Sequence, residues 1–417
     1  MKPVFIAASP NTQFDDLILA FNTLISPWSW FNKNKVTRLE EKISKYHNGF
    51  GAVAFDSART SLYFLLQAYG IGEGDEVLLP AFTCLVVANP VLWAGAKPVY
   101  VDNGSDFNID LADLKRKVTP KTKAILLQHT FGKPVAIEQV RQIVGENVKI
   151  IEDTAHSLGG EYKGRKIGTL GDAAILTFGI EKMVSSVRGG MALTDDLEVT
   201  EKLRIFQQDS KRFSRRRILV SLLNPIFWKL ITPVYYLGFG KLTLGRIFAG
   251  VAHMFSLLGN MIEKSEYKAV KPKWFPAQLP GALAVLASHQ FDKLAGFNEH
   301  RRNIAFIYQR KLDLKFDSHE YKHVYLRFPV LVAEREKLMR RAKKMHVVLG
   351  DWYKNILYSP PENLHYFGYK KGSCKLAESQ AREIVNLPTG VNVTPVQAEK
   401  ISDLVLEHIN ANTRTDR

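Results

Sequence analysis

Short apolar runs alternate with helical patterns between about Gly51 and Thr194. Seven of these runs have the length and the flanking residues of buried strands. They are GAVAFD (51–56), EVLLP (76–80), KPVYVD (97–102), KAILLQH (123–129), VKIIED (148–153), AAILTFG (173–179) and GMALTD (190–195). Strands separated by helical patterns of about 10–15 residues are typical of crossover units. The pattern therefore predicts an α/β fold with a mainly parallel seven-stranded sheet.

Polar clusters follow the ends of several predicted strands. Ligands of open parallel sheets bind beyond the carboxyl ends of the strands. The clusters that this rule selects are 56–59, 80–84, 128–130, 153–156 and 177–182. We expect them to lie along one edge of the sheet.

The remainder of the chain divides into an insertion and a smaller α/β portion. Residues 277–312 have helical patterns, and strand and helix patterns alternate from His323 onward. We predict a large domain with its N-terminal segment over 1–204, a basic and apolar insertion over 205–273, and linking helices with a small C-terminal domain over 274–417. A chain of 417 residues is also longer than a single core usually supports.

Composition narrows the class of protein. Hydrophobic residues make up 46% and charged residues 24%, as in ordinary globular proteins. Cys84 and Cys374, the two cysteines, lack the spacing of a metal site or a disulfide framework, which indicates a reducing compartment. The N-terminus has no long apolar segment of a signal peptide. We therefore expect a cytoplasmic protein without a metal.

The net charge of +16 is unevenly distributed. Residues 201–275 hold 14 Lys and Arg against 4 Asp and Glu, and these basic residues flank the most apolar part of the chain. No nucleic-acid-binding motif accompanies them. The charge therefore favours an anionic membrane or substrate over nucleic acid.

Lys182 and Asp153 are the residues with the clearest chemical potential. Asp153 ends an apolar strand, where its carboxylate needs a partner such as a protonated heterocyclic nitrogen. Lys182 follows a strand of the same predicted sheet, and a lysine between apolar walls has the lowered pKa that suits Schiff-base chemistry. Thr177 offers a hydroxyl to a phosphate oxygen. An Asp that caps a helix and a solvated loop lysine are the alternatives.

The segment FDSARTSL (55–62) predicts a place for an anion. Small residues lead from a strand into a helix N-terminus, where free backbone N–H groups and the helix dipole favour negative charge. Ser57, Ala58 and Arg59 are the expected contacts. A serine at such a position is also the ordinary N-cap of a helix.

Together these motifs resemble the DegT/DnrJ/EryC1/StrS sugar aminotransferases, which are pyridoxal-phosphate-dependent enzymes of fold type I. The resemblance rests on DEVLLPAFTCLVVANPVLWAGAKPVYVD, IIEDTAHSLGGEYKGRKIGTLGDAAILTFGIEK, RGGMAL and HQFDKLAGFNEHRRNIAFIYQRKL. It extends over nearly the whole chain apart from about 204–273. The run from Glu152 to Lys182 is its most specific part.

The resemblance implies roles for individual residues. Lys182 would bond covalently to the cofactor as the catalytic residue, and Asp153 would pair with the pyridine nitrogen. His156 would seat the ring or its phenolic oxygen, and Cys84 would lie beside the ring. Ser57, Ala58, Arg59 and Thr177 would hold the phosphate. Arg188 and His129 are candidate substrate residues.

Four positions depart from the pattern of this family. Cys84 stands where an aromatic residue often stacks on the cofactor, and SAR replaces the usual SGT turn. Arg188 stands where an acidic residue commonly precedes the Gly pair. Pro276 and Gln278 take the positions of an Asn-x-Arg segment that reaches the cofactor phosphate of the neighbouring subunit. These changes leave Lys182 and Asp153 untouched and bear on the substrate.

The insertion is the most individual segment. A basic cluster, Arg215–Arg217, precedes a 23-residue apolar stretch, Ile218–Gly240, whose one charge is Lys229. Pro225 and Pro233 interrupt this stretch, and the second apolar stretch, Ile247–Ile262, is too short to span a bilayer. Its aromatic residues are of types that favour the headgroup layer, namely Trp228, Tyr235 and Tyr236. We expect a kinked hairpin lying on the inner membrane face over 215–262, or else a flap packed on protein.

The function that follows is amino transfer from an amino acid, with glutamate the usual donor of this family, to a keto sugar. The sugar would be on a nucleotide or lipid carrier in cell-surface polysaccharide or related biosynthesis, and the enzyme would be a homodimer. A sugar dehydratase of the same family is an alternative, but dehydratases replace the lysine with histidine. A cofactor-binding scaffold at the membrane, without turnover, is the other alternative.

Overall fold

The computed structural model of the chain describes residues 2–239, 242–254, 257–314 and 321–415. Gly240 of the first apolar stretch and residues 255–256 of the second lie outside the described residues. The strands are β1 (Val4–Phe5), β2 (Gly51–Phe55), β3 (Glu76–Pro80), β4 (Lys97–Val101), β5 (Thr122–Gln128), β6 (Lys149–Asp153), β7 (Glu161–Tyr162), β8 (Arg165–Lys166), β9 (Ala173–Thr177), β10 (Gly190–Thr194), β11 (Gly238–Phe239), β12 (Leu242–Thr243), β13 (Tyr321–Lys322), β14 (Arg327–Leu331), β15 (Val347–Val348) and β16 (Ile384–Pro388).

The helices are α1 (Phe14–Leu24), α2 (Lys33–Tyr46), α3 (Ala58–Ala68), α4 (Leu85–Trp93), α5 (Leu111–Lys117), α6 (Ile137–Val144), α7 (Leu197–Asp209), α8 (Arg215–Ile231), α9 (Leu244–Met254), α10 (Gly281–Asp292), α11 (Leu294–Leu312), α12 (Arg335–Lys344), α13 (Lys375–Glu383) and α14 (Pro395–Thr415). Short 3₁₀ turns join several of these elements.

A seven-stranded sheet in the order β2-β10-β9-β6-β5-β3-β4 forms the centre of the large domain. All seven strands predicted from the apolar runs are present, and β10 alone runs antiparallel to its neighbours in this sheet. The other pairings are parallel because each successive strand is reached through a crossover. The predicted fold class is confirmed.

Both faces of this sheet are buried, which explains the continuous apolar runs. Alternate residues of each strand point to opposite faces. Val53 and Phe55 pack with α3 and α4 on one face, while Ala52 and Ala54 pack with α2 and α10 on the other. The loops that follow the parallel strands are therefore held at one edge by a core on each side.

The small domain is built on the antiparallel pair β14 and β16, covered by α11, α12 and α14. Two segments cross the predicted domain boundaries. β1 pairs in parallel with β15, so the first residues join the small domain and not the sheet of the 1–204 unit. Residues from Tyr353 to Ile384 contribute buried side chains to the core of the large domain.

The insertion packs on the protein along much of its length. α8 lies against α1 and α10 and buries side chains such as Ile218 and Leu222. Trp228, Tyr235 and Tyr236 form a cluster around Phe5, with ring centroids 4.8–6.2 Å from it. These aromatic residues, which we expected at a headgroup layer, thus contact the N-terminal strand.

One segment of the described residues has the length and composition of a membrane span. It covers Arg215–Val234, 20 residues with a mean hydropathy of 1.2, and 33% of it is buried in the protein. Beyond α8 the insertion exposes large apolar side chains, including Leu237 (61% exposed) and Met254 (71%). One side of the insertion therefore packs on the protein as a flap, and the other side exposes an apolar surface.

Candidate active site

A cavity of about 270 Å³ opens where β2, β5, β6 and β9 end. The strand ends bring together most of the predicted site residues. Those that line the cavity are Ser57, Ala58, Arg59, Cys84, Asp153, Thr177, Lys182 and Arg188. The rule that ligands bind beyond the carboxyl ends of parallel strands predicted this location.

Lys182 projects from the loop between β9 and β10 into this cavity. The side-chain amide of Asn11 holds the loop, with Nδ2 2.7 Å from the Lys182 carbonyl oxygen. The ammonium lies 4.3 Å from the centroid of the Trp352 ring. Burial lowers the pKa of Lys182 to about 8, while the nearby Asp153 opposes that shift. About one tenth of the amine is therefore neutral and nucleophilic at pH 7, far more than for an exposed lysine.

Asp153 is the last residue of β6 and is 3% exposed. Among the described residues it accepts one hydrogen bond, from the Ala155 N–H to Oδ1 at 2.9 Å. Burial raises the pKa of its carboxyl group, with Lys182 acting in the other direction. A cationic N–H group placed in the cavity would relieve this desolvation and hold the carboxylate ionised.

Ser57 caps α3 and presents the N-terminus of that helix to the cavity. Its hydroxyl accepts a hydrogen bond from the Thr60 N–H at 3.4 Å. The backbone of β10 comes so close that a Cβ on Gly190 would lie 2.2 Å from the Ala58 nitrogen. Gly190 is therefore required for close packing of β10 against this turn. The free N–H groups of the turn and the helix dipole suit an anion such as a phosphate.

Arg59 and Arg188 differ in their partners. Arg59 forms a buried ion pair with Glu266, and its Nη2 donates to the Met261 carbonyl oxygen at 3.1 Å. Arg188 is 8% exposed and donates from Nη2 to the Asn260 carbonyl oxygen at 2.5 Å. Both arginines thus bind the part of the insertion that follows α9.

His156 and His129, the two histidines predicted at the site, do not line the cavity. His156 is fully buried, with its Nδ1 accepting from the Phe131 N–H at 3.2 Å and its Nε2 3.0 Å from the Tyr353 hydroxyl. Burial and the charge of Lys182 hold the pKa of His156 well below its usual value. The ring is therefore neutral, and Nε2 carries the proton toward Tyr353.

His129, a candidate substrate residue, lies behind the sheet edge. Its Nε2 is 3.0 Å from Glu152 Oε2, and its Nδ1 accepts from the Val135 N–H at 3.1 Å. Both ring nitrogens have protein partners, and the residue is 0% exposed. The geometry assigns His129 to the core and not to a substrate.

Several residues that line or flank the cavity were missed by the sequence analysis. The segment after β15 supplies Trp352, Tyr353 and Tyr358, and the insertion supplies Met261 and Ile262. Arg327 of β14 stacks on Trp352, with Cζ 3.4 Å from the ring centroid, and pairs with Glu181. The adjacent Trp352 and Tyr353 were the available sequence signal for a buried site, because exposing two large aromatic side chains to water is unfavourable.

The departures from the family pattern have local explanations. Cys84 is the N-cap of α4 and lines the cavity, and burial raises the pKa of its thiol. Gln278 donates from Nε2 to the carbonyl oxygens of Gln208 and Ser210, at 3.0 and 3.1 Å, so it is bound within its own chain. The Pro276 carbonyl oxygen accepts from the Lys211 N–H at 3.2 Å. Among the described residues, this segment contacts the end of α7.

The sequence profile of the DegT/DnrJ/EryC1/StrS aminotransferase family matches residues 16–223 and 265–406. The chain belongs to this family. The family consists of pyridoxal-phosphate-dependent transaminases, so this cofactor is expected. Residues 224–264, between the two matched parts, are shorter than the predicted insertion of 205–273 and contain most of its apolar residues.

Curated members of the family resemble different lengths of the chain. GDP-perosamine synthase of Caulobacter vibrioides is 32% identical over 216 residues, which are 51% of this chain and 58% of that protein. UDP-4-amino-4-deoxy-L-arabinose--oxoglutarate aminotransferase of Shewanella sediminis is 26% identical, over 95% of this chain and 96% of that protein. Both relatives are named for amino sugars on a nucleotide.

A solved structure of the family shares the fold. DesV of S. venezuelae superposes with a TM-score of 0.73 and 23% identity, covering 94% of each chain. The seven-stranded sheet and the small domain are therefore those of an aminotransferase of this family.

Proposed function

We propose that the chain transfers an amino group from an amino acid, with glutamate as the first candidate, to a keto sugar on a nucleotide carrier. The observation that carries the proposal is a buried lysine with a lowered pKa in one cavity with a buried aspartate and a helix N-terminus. These three groups match an aldehyde, a pyridine nitrogen and a phosphate. The relatives named for GDP and UDP sugars favour a nucleotide over a lipid carrier.

The residues present fit pyridoxal phosphate. Lys182 and Asp153 lie on the same cavity as the Ser57–Ala58 turn, and Cys84 and Ala155 also line it. Asp153 has no hydrogen bond to Oδ2 among the described residues, which leaves that oxygen for a ring N–H. When bound, the cofactor supplies an electron sink that stabilises negative charge at the carbon bearing the amino group.

The protein side chains would do the remaining work. Lys182, released as a free amine, would move a proton to and from the substrate carbon. Asp153 would keep the ring nitrogen protonated, and Thr177 with the α3 N-terminus would orient the phosphate. His156 would act as a positioning residue, because its bond to Tyr353 fixes an aromatic wall of the cavity.

Two alternatives remain from the residue pattern, and Lys182 bears on both. A sugar dehydratase of this family would have histidine in place of this lysine. A scaffold without turnover would bind the cofactor and leave it unchanged when amino donors are added.

The deciding experiment is the half-reaction with an amino donor. We expect the absorbance of the cofactor-loaded protein to shift on addition of glutamate, with one 2-oxoglutarate formed per site. Lys182→Ala abolishes both, while the control Lys202→Ala, at an exposed lysine, retains them. A bound cofactor that no amino donor changes would establish the scaffold. Nucleotide-linked keto sugars are then screened against the aminated form.

We also propose that two copies of the chain form the active unit. α1 and the 3₁₀ turn that follows it expose large apolar side chains, among them Phe14 (68% exposed), Phe21 (50%) and Trp28 (80%). Exposed apolar patches of this kind are typical of interfaces. Sedimentation equilibrium of the purified protein is expected to give twice the mass of one chain, and a single-chain mass would contradict the proposal.

Finally, we propose peripheral contact of the insertion with an anionic membrane on the cytoplasmic face. The exposed apolar side chains of its outer part are the support, and a substrate handled near the membrane is the biological context. Deleting the insertion would also remove Met261 and Ile262 from the cavity, so point substitutions are the better test. The variant carries Leu237→Glu, Phe248→Glu and Met254→Glu, and the control carries Leu331→Glu, Leu376→Glu and Val396→Glu on the small domain.

Cosedimentation with vesicles of phosphatidylserine and phosphatidylcholine measures the contact. The unmodified chain and the control are expected to pellet, and the insertion variant to stay in the supernatant. If all three proteins behave alike, the insertion is a flap that does not bind lipid.

A further inference from the structure

Three arginines and the carboxylates of Asp56, Glu263 and Glu266 lie near one another at this end of the cavity, but only some of these charges form ion pairs. The guanidinium groups of Arg59 and Arg217 lie close enough to lower the pKa of Arg188, and that of Arg59 also lowers the pKa of Arg217. Arg59 pairs with Glu266, and Arg217 Nη2 lies 3.7 Å from Asp56 Oδ2. Arg188 has no carboxylate oxygen within 4.0 Å among the described residues.

Arg188 is thus a buried cation with no direct ion pair among the described residues, although Asp56 and Glu263 raise its pKa from a greater distance. Its one hydrogen bond to a described residue goes to the Asn260 carbonyl oxygen, and its side chain lines the cavity. Burial and the charges of Arg217 and Arg59 lower its pKa to about 10. A buried charge is stable only when it is paired and hydrogen-bonded, so this position calls for an anion.

The anion belongs at the start of α3. Gly189, the next residue after Arg188, forms a parallel bridge with Ser57, the N-cap of α3. The chain therefore places the Arg188 backbone directly beside the turn that offers free N–H groups. A helix N-terminus together with an unpaired arginine forms a strong phosphate site.

We propose that Arg188, with Arg59 and Arg217 behind it, is the charge partner of the cofactor's 5′-phosphate within this chain. The inference rests on the proposed function. It offers a physical account of two departures from the family pattern. Pro276 and Gln278 replace the segment that reaches the neighbouring subunit's phosphate, and Arg188 reverses the usual charge before the Gly pair. The phosphate would thus be neutralised by residues of its own subunit.

Arg217 connects this site to the insertion. It lies in the first turn of α8, with its guanidinium carbon 4.0 Å from the Trp274 ring centroid. Its Nη1 is buried and has no hydrogen-bond partner in the part of the chain that the structure describes. From the sequence we expected this residue in a basic cluster at the membrane. In the structure its guanidinium group faces Asp56 instead. The neighbouring Arg216 remains exposed and serves as a matched control.

The test compares pyridoxal phosphate with pyridoxal, which has the same ring and aldehyde but no phosphate. Apo protein is titrated with each compound, and the absorbance of the lysine-bound ring is followed. Arg188→Met is expected to weaken the binding of pyridoxal phosphate by about tenfold to a hundredfold, as for a lost charge-assisted hydrogen bond. Pyridoxal affinity is unchanged, and Arg216→Met changes neither. Arg188→Lys restores part of the loss because it retains the charge.

Each other result has a definite meaning. Equal weakening for both compounds, or none for either, overturns the inference while leaving the proposed function intact. Unchanged binding of pyridoxal phosphate with lost binding of UDP and GDP to the loaded protein also overturns it, because the arginine would then serve the substrate. If neither compound bonds to Lys182 in the unmodified chain, the proposed function itself fails. Retained pyridoxal binding shows that the variant is folded.

Discussion

The cavity has two walls of different origin. The sheet wall consists of the strand-end residues Ser57, Cys84, Asp153, Thr177 and Lys182. The covering wall consists of Met261 and Ile262 from the insertion with Trp352, Tyr353 and Tyr358 from the segment after β15. The sheet wall carries the groups that the chemistry needs. The covering wall is largely apolar and aromatic.

The two walls are joined by buried charge. Arg59 belongs to the first turn of α3, and its partner Glu266 is 0% exposed in the segment after α9. Asn89 Nδ2 of α4 also donates to the Glu266 carbonyl oxygen, at 3.2 Å. The covering wall is therefore anchored on the sheet domain. The difference between the walls shows that residues outside the family profile, Met261 and Ile262, can complete a cavity whose other residues lie within the matched parts.

The largest effect is expected in the sheet wall. Asp153→Asn removes the charge that would keep the ring nitrogen protonated, so the rate of the glutamate half-reaction falls by about a hundredfold to ten-thousandfold. Stopped-flow absorbance in single turnover measures this rate. Asp292→Asn, at an exposed aspartate, is the control, and a change below about threefold in both variants would remove Asp153 from the mechanism.

The anchor between the walls is expected to matter for stability. Glu266→Gln leaves the Arg59 guanidinium buried without a counter-charge, which costs about 3–5 kcal/mol in the free energy of unfolding. Urea unfolding followed by fluorescence measures the change. Glu198→Gln breaks an exposed pair with Lys202 and should cost at most about 1 kcal/mol. Equal costs would mean that the covering wall is loosely attached.

The pH dependence of cofactor capture tests how the two walls together set the pKa of Lys182. The neutral amine is the reactive form, and burial lowers its pKa from 10.5 to about 8. The rate of pyridoxal phosphate capture by apo protein should therefore rise about tenfold from pH 7 to a plateau above about pH 9, with its midpoint near pH 8. Asp153→Asn should move the midpoint to lower pH, because the carboxylate raises the pKa of the lysine. A rate that keeps rising toward pH 10 would show an exposed lysine.

The smallest effect is expected from a single apolar residue of the covering wall. Met261→Ala removes side-chain contacts with the cavity but leaves the backbone carbonyl that Arg59 binds. We expect a loss of about 1 kcal/mol in binding free energy, which corresponds to at most about fivefold weaker cofactor binding. Fluorescence titration measures the cofactor affinity. A hundredfold loss of affinity would indicate that Met261 contacts the cofactor ring directly.

The sheet wall could be predicted almost completely, and the covering wall almost not at all. Apolar runs of five to seven residues and their polar ends place Asp153, Thr177 and Lys182 on one edge, since parallel strands have equivalent ends. Trp352 and Arg327 come from distant parts of the chain, and no periodicity relates them to Lys182. His129 shows the reverse error, because a polar residue at a strand end was assigned to the site although Glu152 binds it in the core.

The amino-acid sequence by itself determined the seven strands and the fold class, and it predicted that Lys182 and Asp153 lie at one edge of the sheet. Those features depend on local patterns that a sheet converts into position by simple rules. The tertiary structure alone decided which charges are paired. Arg215–Arg217 form one basic cluster in sequence, yet Arg217 turns inward to Asp56 and Arg216 stays outside. The buried charges of Asp56 and Arg217 lie 161 positions apart in the sequence. Only the packed fold brings these two groups together.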